Sequence, residues 1–226
     1  EVMESHSSGS RFSVFFIDLD NFKSINDRWG HDAGDFVLKE TAKRITSAIR
    51  PTDVAARFGG DAFVVLIKNI REDKDAIAIA DRLVSQFAEP IKKEQEEFYL
   101  SPSIGISFFP DHGDSAEELI KNADTALYYV KEQGKNNYQV FNQQMEYQSF
   151  ERRILENALR QGIKEEQFFI EYQPKVNIDT NELIGMEALV RWEHPELGVI
   201  PPGKFIPLAE ETGLIVPLGE WSLRES

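Results

Sequence analysis

The chain has 226 residues, 41% of them hydrophobic and 28% charged, with a formal net charge of −14 and no cysteine. That balance describes a soluble globular chain long enough for one domain and part of a second, and it excludes disulfide and thiolate chemistry. So acidic a surface excludes general binding of nucleic-acid polymers, which need a basic face, but leaves small nucleotides open.

Residues 1–11 are polar and read as a disordered or remnant segment, and the start at Glu1 without an initiator Met implies further sequence upstream. No signal peptide is visible and no apolar run approaches the ~20 residues of a membrane span, so membrane contact within this segment is not expected and the location is expected to be cytoplasmic. The run Phe12-Ser-Val-Phe-Phe-Ile-Asp-Leu-Asp20 predicts a strand buried on both faces. A polar loop follows. Leu38, Ala42, Ile45 and Ile49 then recur at helical spacing and predict a helix over about 33–50. Asp53–Phe58 and Ala62–Ile67 flank Gly59-Gly60 as a hairpin. Ala76, Ala80, Leu83 and Phe87 mark a second helix, and Phe98–Phe109 a strand closed by Pro110. Ser115 and Glu118 suggest a capping box for a third helix with Leu119, Ala123, Leu127 and Val130 on its inner face. Tyr138–Phe141 reads as a last short strand.

The order β-α-β-β-α-β-α-β predicts an α+β fold of the ferredoxin-like or polymerase-palm kind, a mostly antiparallel sheet with crossover helices. Its domain spans 12–142, and a connecting helix over 143–162 carries Phe150, Ile154 and Ala158 on one side. From 163 to 226 a new pattern begins, with strands over 167–176 and 182–192, a Pro/Gly loop at 195–203, and helices to the end.

Asp18 closes the buried strand and Asp61 follows the glycines of the neighbouring hairpin, so the two carboxylates can converge. Mg²⁺ favours a few carboxylates plus the phosphates of its substrate. Gly59 and Gly60 leave backbone amides open to an approaching phosphate.

Taken together, Asp18-Leu-Asp-Asn-Phe-Lys-Ser-Ile-Asn26, Gly30-His-Asp-Ala-Gly-Asp35, Arg57-Phe-Gly-Gly-Asp-Ala-Phe63, Ser103-Ile-Gly-Ile-Ser107 and Asn122-Ala-Asp-Thr-Ala-Leu-Tyr-Tyr-Val-Lys-Glu-Gln-Gly-Lys-Asn136 resemble the GGDEF, or diguanylate cyclase, family. The family's Leu-Thr-Gly-Leu-x-Asn-Arg element is absent, which implies a chain that begins inside the domain. The resemblance implies metal ligation by the Asp18 carboxylate, the Leu19 carbonyl and Asp61, with Mg²⁺ or Mn²⁺ as cofactor. It implies guanine reading by Asn26 and Asp35, and phosphate contacts from Phe22, Lys23, Gly59, Lys131 and Lys135. The signature Gly59-Gly60-Asp61-Ala62-Phe63 departs from the family at Ala62, where cyclases carry Glu. Loss of one ligand from a two-metal centre removes charge neutralisation at the reacting oxygens, so GTP binding, with one Mg²⁺ on Asp18 and Asp61, is expected to outlast cyclisation. Arg50 and Asp53, six residues before Gly59, match the family's product-inhibition site, where an arginine grips phosphate and a carboxylate accepts guanine N–H groups.

Phe169-Ile-Glu-Tyr-Gln-Pro-Lys-Val-Asn177, Glu187-Ala-Leu-Val-Arg-Trp192 and the stretch from Pro201 to Ile215 resemble the start of the EAL phosphodiesterase family. The resemblance implies the first third of a (β/α) barrel, with Glu187 as a metal ligand and Gln173 and Arg191 as contacts to the dinucleotide. The family's later ligands are not in these residues, so no phosphodiesterase activity is expected of them. A partial barrel with open edges is expected to be poorly ordered or propped against a neighbour. The leading expectation is a degenerate GGDEF module that binds GTP or cyclic-di-GMP and regulates an EAL phosphodiesterase in a homodimeric parent. The rivals are an active cyclase joining two GTP, and a dimerisation scaffold that binds no nucleotide.

Overall fold

Residues 10–226 are described by a computed structural model, and the chain divides into two units between Ser149 and Phe150. The sequence expectation for residues 1–9 lies outside the described residues. Arg11, expected within a disordered segment, instead opens β1 (Arg11–Leu19) and forms ion pairs with Asp73 and Asp111.

The first unit is organised by the two faces of β1. It lies at the middle of a five-stranded sheet, between β3 (Ala62–Ile70) and β6 (Pro102–Phe109), with β2 (Val54–Gly59) and β7 (Tyr138–Val140) at the edges. All pairings are antiparallel except β6 with β7. Phe15, Ile17 and Leu19 on one face meet α1 (Phe22–Trp29), α2 (His31–Ala48) and α3 (Asp73–Gln86). Phe12, Val14 and Phe16 on the other meet α4 (Ala116–Glu132) through Leu119, Ala123 and Leu127. This α+β, palm-like architecture is the expected one.

The motif Ser103-Ile-Gly-Ile-Ser107 has a packing explanation. Ile104, Ile106 and Phe108 fill the larger core, while the small alternate residues let α4 approach the sheet. Ser107 Oγ donates to Leu119 O at 2.8 Å, and a Cβ at Gly105 would stand 1.9 Å from Ala123 O.

Four local expectations need correction. The loop after β1 contains α1, whose Asn21 N-cap adopts a left-handed φ of 60°. The turn residues of the β2–β3 hairpin are Gly60, at φ 53°, and Asp61, with Gly59 still in the strand. The expected long strand from Phe98 is interrupted. Phe98 ends a separate hairpin of β4 (Ile91–Lys93) and β5 (Glu96–Phe98), and β6 starts afresh at Pro102. At α4, Ser115 Oγ accepts the Glu118 N–H as expected, but the Glu118 carboxylate receives the Asp114 N–H, so the box closes one residue early.

His112 lies between the rings of Phe108 and Phe141, and its Nδ1 accepts the Phe108 N–H at 3.0 Å. Burial holds its pKa below the ordinary 6.5, against the pull of Asp111 and Asp73. The unfolded chain therefore takes up a proton below that value before the folded chain does. The stability that His112 contributes is therefore present above the ordinary histidine pKa and is lost progressively as the pH falls below about 6.5. Urea unfolding across that range should show a shallower pH slope for His112→Gln than for the wild type; equal slopes would remove His112 from the effect.

In the second unit, β8 (Phe168–Val176), β9 (Leu183–His194) and β10 (Gly198–Ile200) form an antiparallel meander. The strand β10 falls within the expected loop. Helix α5 (Gln143–Lys164) contains the division between the units and runs two residues beyond the expected connector. Of its expected stripe only Ala158 is buried; Phe150 and Ile154 are exposed. With α6 (Pro202–Thr212) and α7 (Ile215–Glu225), this segment builds a core of its own around Trp192, Phe168, Phe205 and Leu218. The segment thus has regular elements around its own core. Its open edge is nonetheless apolar, since Leu183, Ile184 and Met186 at the far end of the hairpin are exposed.

Candidate functional site

Gly30 joins α1 to α2 at a φ of 82°, folding the two helices against each other. The fold brings Asn26, on the last turn of α1, to Asp35 near the start of α2. Phe22, Lys23, Asn26 and Asp35 line one open cleft of about 300 Å³ with Gly60 and Asp61 of the hairpin turn. Six of the residues singled out in the sequence therefore share one wall-to-wall site. His31, Leu38 and Arg57 complete it, and sequence reasoning did not find them.

Two further residues shape the cleft. A Cβ at Gly34 would stand 1.9 Å from Asn26 Oδ1, so the absence of a side chain there is what lets Asn26 lie over α2. A glycine inside a helical pattern costs about 1 kcal/mol relative to alanine, and that cost is a sequence signal for a packing demand. Arg57 grips the hairpin turn, donating from Nε and Nη2 to Gly60 O at 2.9 and 2.6 Å. The two bonds tie the Gly60 carbonyl back to β2 and constrain the turn beside the cleft.

Asp18, Leu19, Gly59, Lys131 and Lys135 are not part of the lining of this cleft; Asp18 lies on β1, paired directly with Ala62 on β3, the residue after Asp61, and with Ser103 on β6. Directly opposed residues share a face with Cβ atoms about 4.5–5.5 Å apart, so a glutamate at 62 would stand beside the Asp18 carboxylate. Here a methyl group occupies that place and packs against the cluster around Phe16. Asp18 Oδ1 instead receives Lys131 Nζ at 2.7 Å from the last turn of α4. Burial raises the Asp18 pKa above its ordinary value, Lys131 opposes the rise, and the charges of Asp61 and Asp20 add to it. Lys135 Nζ lies 3.2 Å from Asn21 Oδ1 at the start of α1. Among the described residues no group of three or more histidines or acids is placed to hold a metal ion. Asp18, already paired with an ammonium, together with Asp61 and the Leu19 carbonyl, does not make the donor set of a two-metal centre.

Asp20, read from sequence only as a strand-end acid, is buried and organises the loops around the site. It accepts from Ser101 Oγ, Ser103 Oγ and the Asn136 N–H. Asp53 is likewise turned inward: its two oxygens accept the N–H groups of Arg50 and Lys68 at 2.9 and 3.0 Å, while Arg50 is exposed.

In the second unit Gln173 pairs with Glu187 across β8 and β9, and Arg191 follows four pairs along on the same face. Glu187 meets Lys175 at 3.0 Å and Arg191 meets Glu171 at 2.6 Å. The three expected residues are thus together on one exposed hairpin face.

Comparison with known proteins agrees with both halves of this description. Residues 1–137 match the family described as diguanylate cyclase, GGDEF domain, and residues 156–226 match the EAL domain. The bifunctional diguanylate cyclase/cyclic di-GMP phosphodiesterase MucR of Pseudomonas aeruginosa is 47% identical over 225 residues, covering 100% of this chain and 33% of its own length. The cyclic di-GMP phosphodiesterase NbdA of the same organism is 41% identical, over 96% of this chain and 28% of its own. This chain therefore spans a third or less of those two relatives. The crystal structure of the GGDEF domain of YfiN (or TpbB) from Pseudomonas aeruginosa superposes with a TM-score of 0.61 and 37% identity, covering 62% of this chain and 88% of that one.

Proposed function

We propose a regulatory, nucleotide-binding role without cyclisation, from the premise of membership: the chain belongs to the GGDEF diguanylate cyclase family and carries the opening part of an EAL domain. The observation that carries the reading is the contrast between the cleft and the strand end next to its hairpin turn. The cleft has Asn26 and Asp35 on one wall, with a lysine and an open glycine turn for phosphates. The strand end next to Asp61 has a methyl group directly opposite Asp18 where a third carboxylate would complete a metal centre. A site of this form binds guanine nucleotide and lacks the means to stabilise the charge that develops on the attacking and leaving oxygens when one nucleotide is joined to another.

GTP is the ligand this geometry favours. Cyclic-di-GMP at Arg50 and Asp53 is less well supported, because the Asp53 oxygens already accept two backbone N–H groups. In the longer parent the domain would bias an EAL phosphodiesterase, the activity that both relatives are named for.

The test is to incubate the chain with GTP and Mg²⁺ or Mn²⁺ and separate the nucleotides by chromatography, then to titrate GTP. GTP should remain unconverted yet bind, and Asn26→Ala or Asp35→Ala should weaken binding at least about tenfold, the worth of a hydrogen bond at a charged or buried group. Formation of cyclic-di-GMP or its linear intermediate would transfer the lead to the active cyclase. No rise in melting temperature with GTP, GDP or cyclic-di-GMP would favour the scaffold.

A further inference from the structure

We propose that Lys131 is a built-in counter-ion that takes the place of a divalent cation, so that the cleft binds guanine nucleotide without metal. The inference rests on the nucleotide reading of the cleft and concerns how its phosphate end is neutralised. Three observations carry it.

First, the carboxylate set is depleted. Position 62 faces Asp18 across the sheet and contributes only a methyl group. Mg²⁺ demands near-octahedral oxygen coordination and loses its hydration shell reluctantly, so the loss of one anionic ligand weighs heavily on it. Second, the place beside Asp18 already holds a cation. The Lys131 ammonium contacts Asp18 Oδ1 at 2.7 Å, and the pair is largely sheltered, with 35% and 18% of the two side chains exposed. A divalent ion on Asp18 would have to displace that contact. Third, the ammonium is held by a rigid element. Lys131 lies in the last turn of α4, the helix that packs so closely on Gly105 that a single methyl group would collide with its backbone.

An ammonium has three N–H donors, and one of them is used on Asp18. The other two remain for phosphate oxygens. Lys23 lines the same cleft, and Lys135 is tethered to Asn21 at the start of α1. These three ammonium groups supply the positive charge that a triphosphate otherwise obtains from its metal.

The experiment is a titration of the full chain with a fluorescent GTP analogue, once in a chelating buffer and once with excess Mg²⁺. The dissociation constants should agree within about twofold, and Lys131→Ala should raise the constant in chelator about tenfold, as expected for loss of a charge-assisted phosphate contact. Ala62→Glu, which restores the third carboxylate, should make Mg²⁺ tighten binding about tenfold, where the wild type is indifferent to it. Wild-type binding that appears or tightens about tenfold only with Mg²⁺ would overturn this inference and leave the nucleotide reading standing. Absence of binding in both buffers would overturn the nucleotide reading and this inference with it. The wild-type comparison requires no variant, so a misfolded mutant cannot obscure it.

Discussion

Replacing Gly105 with alanine should destabilise the GGDEF domain by about 3 kcal/mol or more, at the upper end of what overpacking costs. The added Cβ would meet Ala123 O at 1.9 Å and Leu127 N at 2.3 Å, and both are backbone atoms of α4. No rotamer change can make room for it. Either the helix moves off the sheet, or β6 twists away from β1. Movement of the helix would open the contacts of Phe12, Phe16, Leu119 and Leu127, and would carry Lys131 away from Asp18. The melting transition of this unit should fall by roughly 6–12 °C. Gly185→Ala is the control: a Cβ there meets nothing within 4 Å, and its cost should stay within about 0.5 kcal/mol. Calorimetry of the two variants beside the wild type decides the matter. Equal melting temperatures would mean that α4 slides without penalty and that the small residues of β6 are not what seats it.

Much of this arrangement was legible because it rests on local pattern. The apolar run of β1 and the glycines of the hairpin each constrain the backbone within a few residues, and β1, β2 and β3 formed where those signals lay. The short helix α1 was missed for a physical reason. Only Phe22 and Ile25 of its eight residues are buried, its composition is that of a turn, and its Asn21 N-cap makes no side-chain capping bond. The break between β5 and β6 was missed because Phe98, Tyr99 and Leu100 continue an apolar run into a core strand, although Tyr99 is exposed.

The site divides the same way. Asn26, Asp35 and Asp61 could be named from spaced motifs, but their convergence depends on how α1 and α2 fold about Gly30, which residue spacing does not encode. The guanidinium clamp of Arg57 on Gly60 depends on the bulge between Arg57 and Gly59 in the hairpin register. The Lys131–Asp18 contact joins the end of α4 to the end of β1, and only tertiary packing reveals that an ammonium stands where the signature has lost an acid.

Asp20 is the residue whose importance was hardest to read and whose removal should be felt both in stability and in binding. Its partners Ser101, Ser103 and Asn136 lie 81 to 116 positions along the chain. Its side chain is buried, and its own N–H donates to Ser101 O at 2.8 Å. In Asp20→Ala the two serine hydroxyls can rotate toward other acceptors, but the Asn136 N–H has a fixed direction and loses its carboxylate. Loss of hydrogen bonds to a buried charged group should cost about 3 kcal/mol. The loop it releases is itself under tension, since Gly134, Lys135 and Asn136 follow one another at φ 109°, 65° and 48°. Non-glycine residues hold such angles only when their surroundings enforce them. Freed from Asp20, the loop should relax and take Lys135 off Asn21, so GTP affinity should fall together with stability. Asp20→Asn keeps an acceptor for Asn136 and can donate to a serine hydroxyl, and it should recover most of both losses. Urea unfolding paired with hydrogen exchange at Asn136 separates the two effects. Rapid exchange at Asn136 in Asp20→Ala, with protection restored in Asp20→Asn, is the expected pattern; unchanged protection in the alanine variant would show that the carboxylate does not anchor the loop.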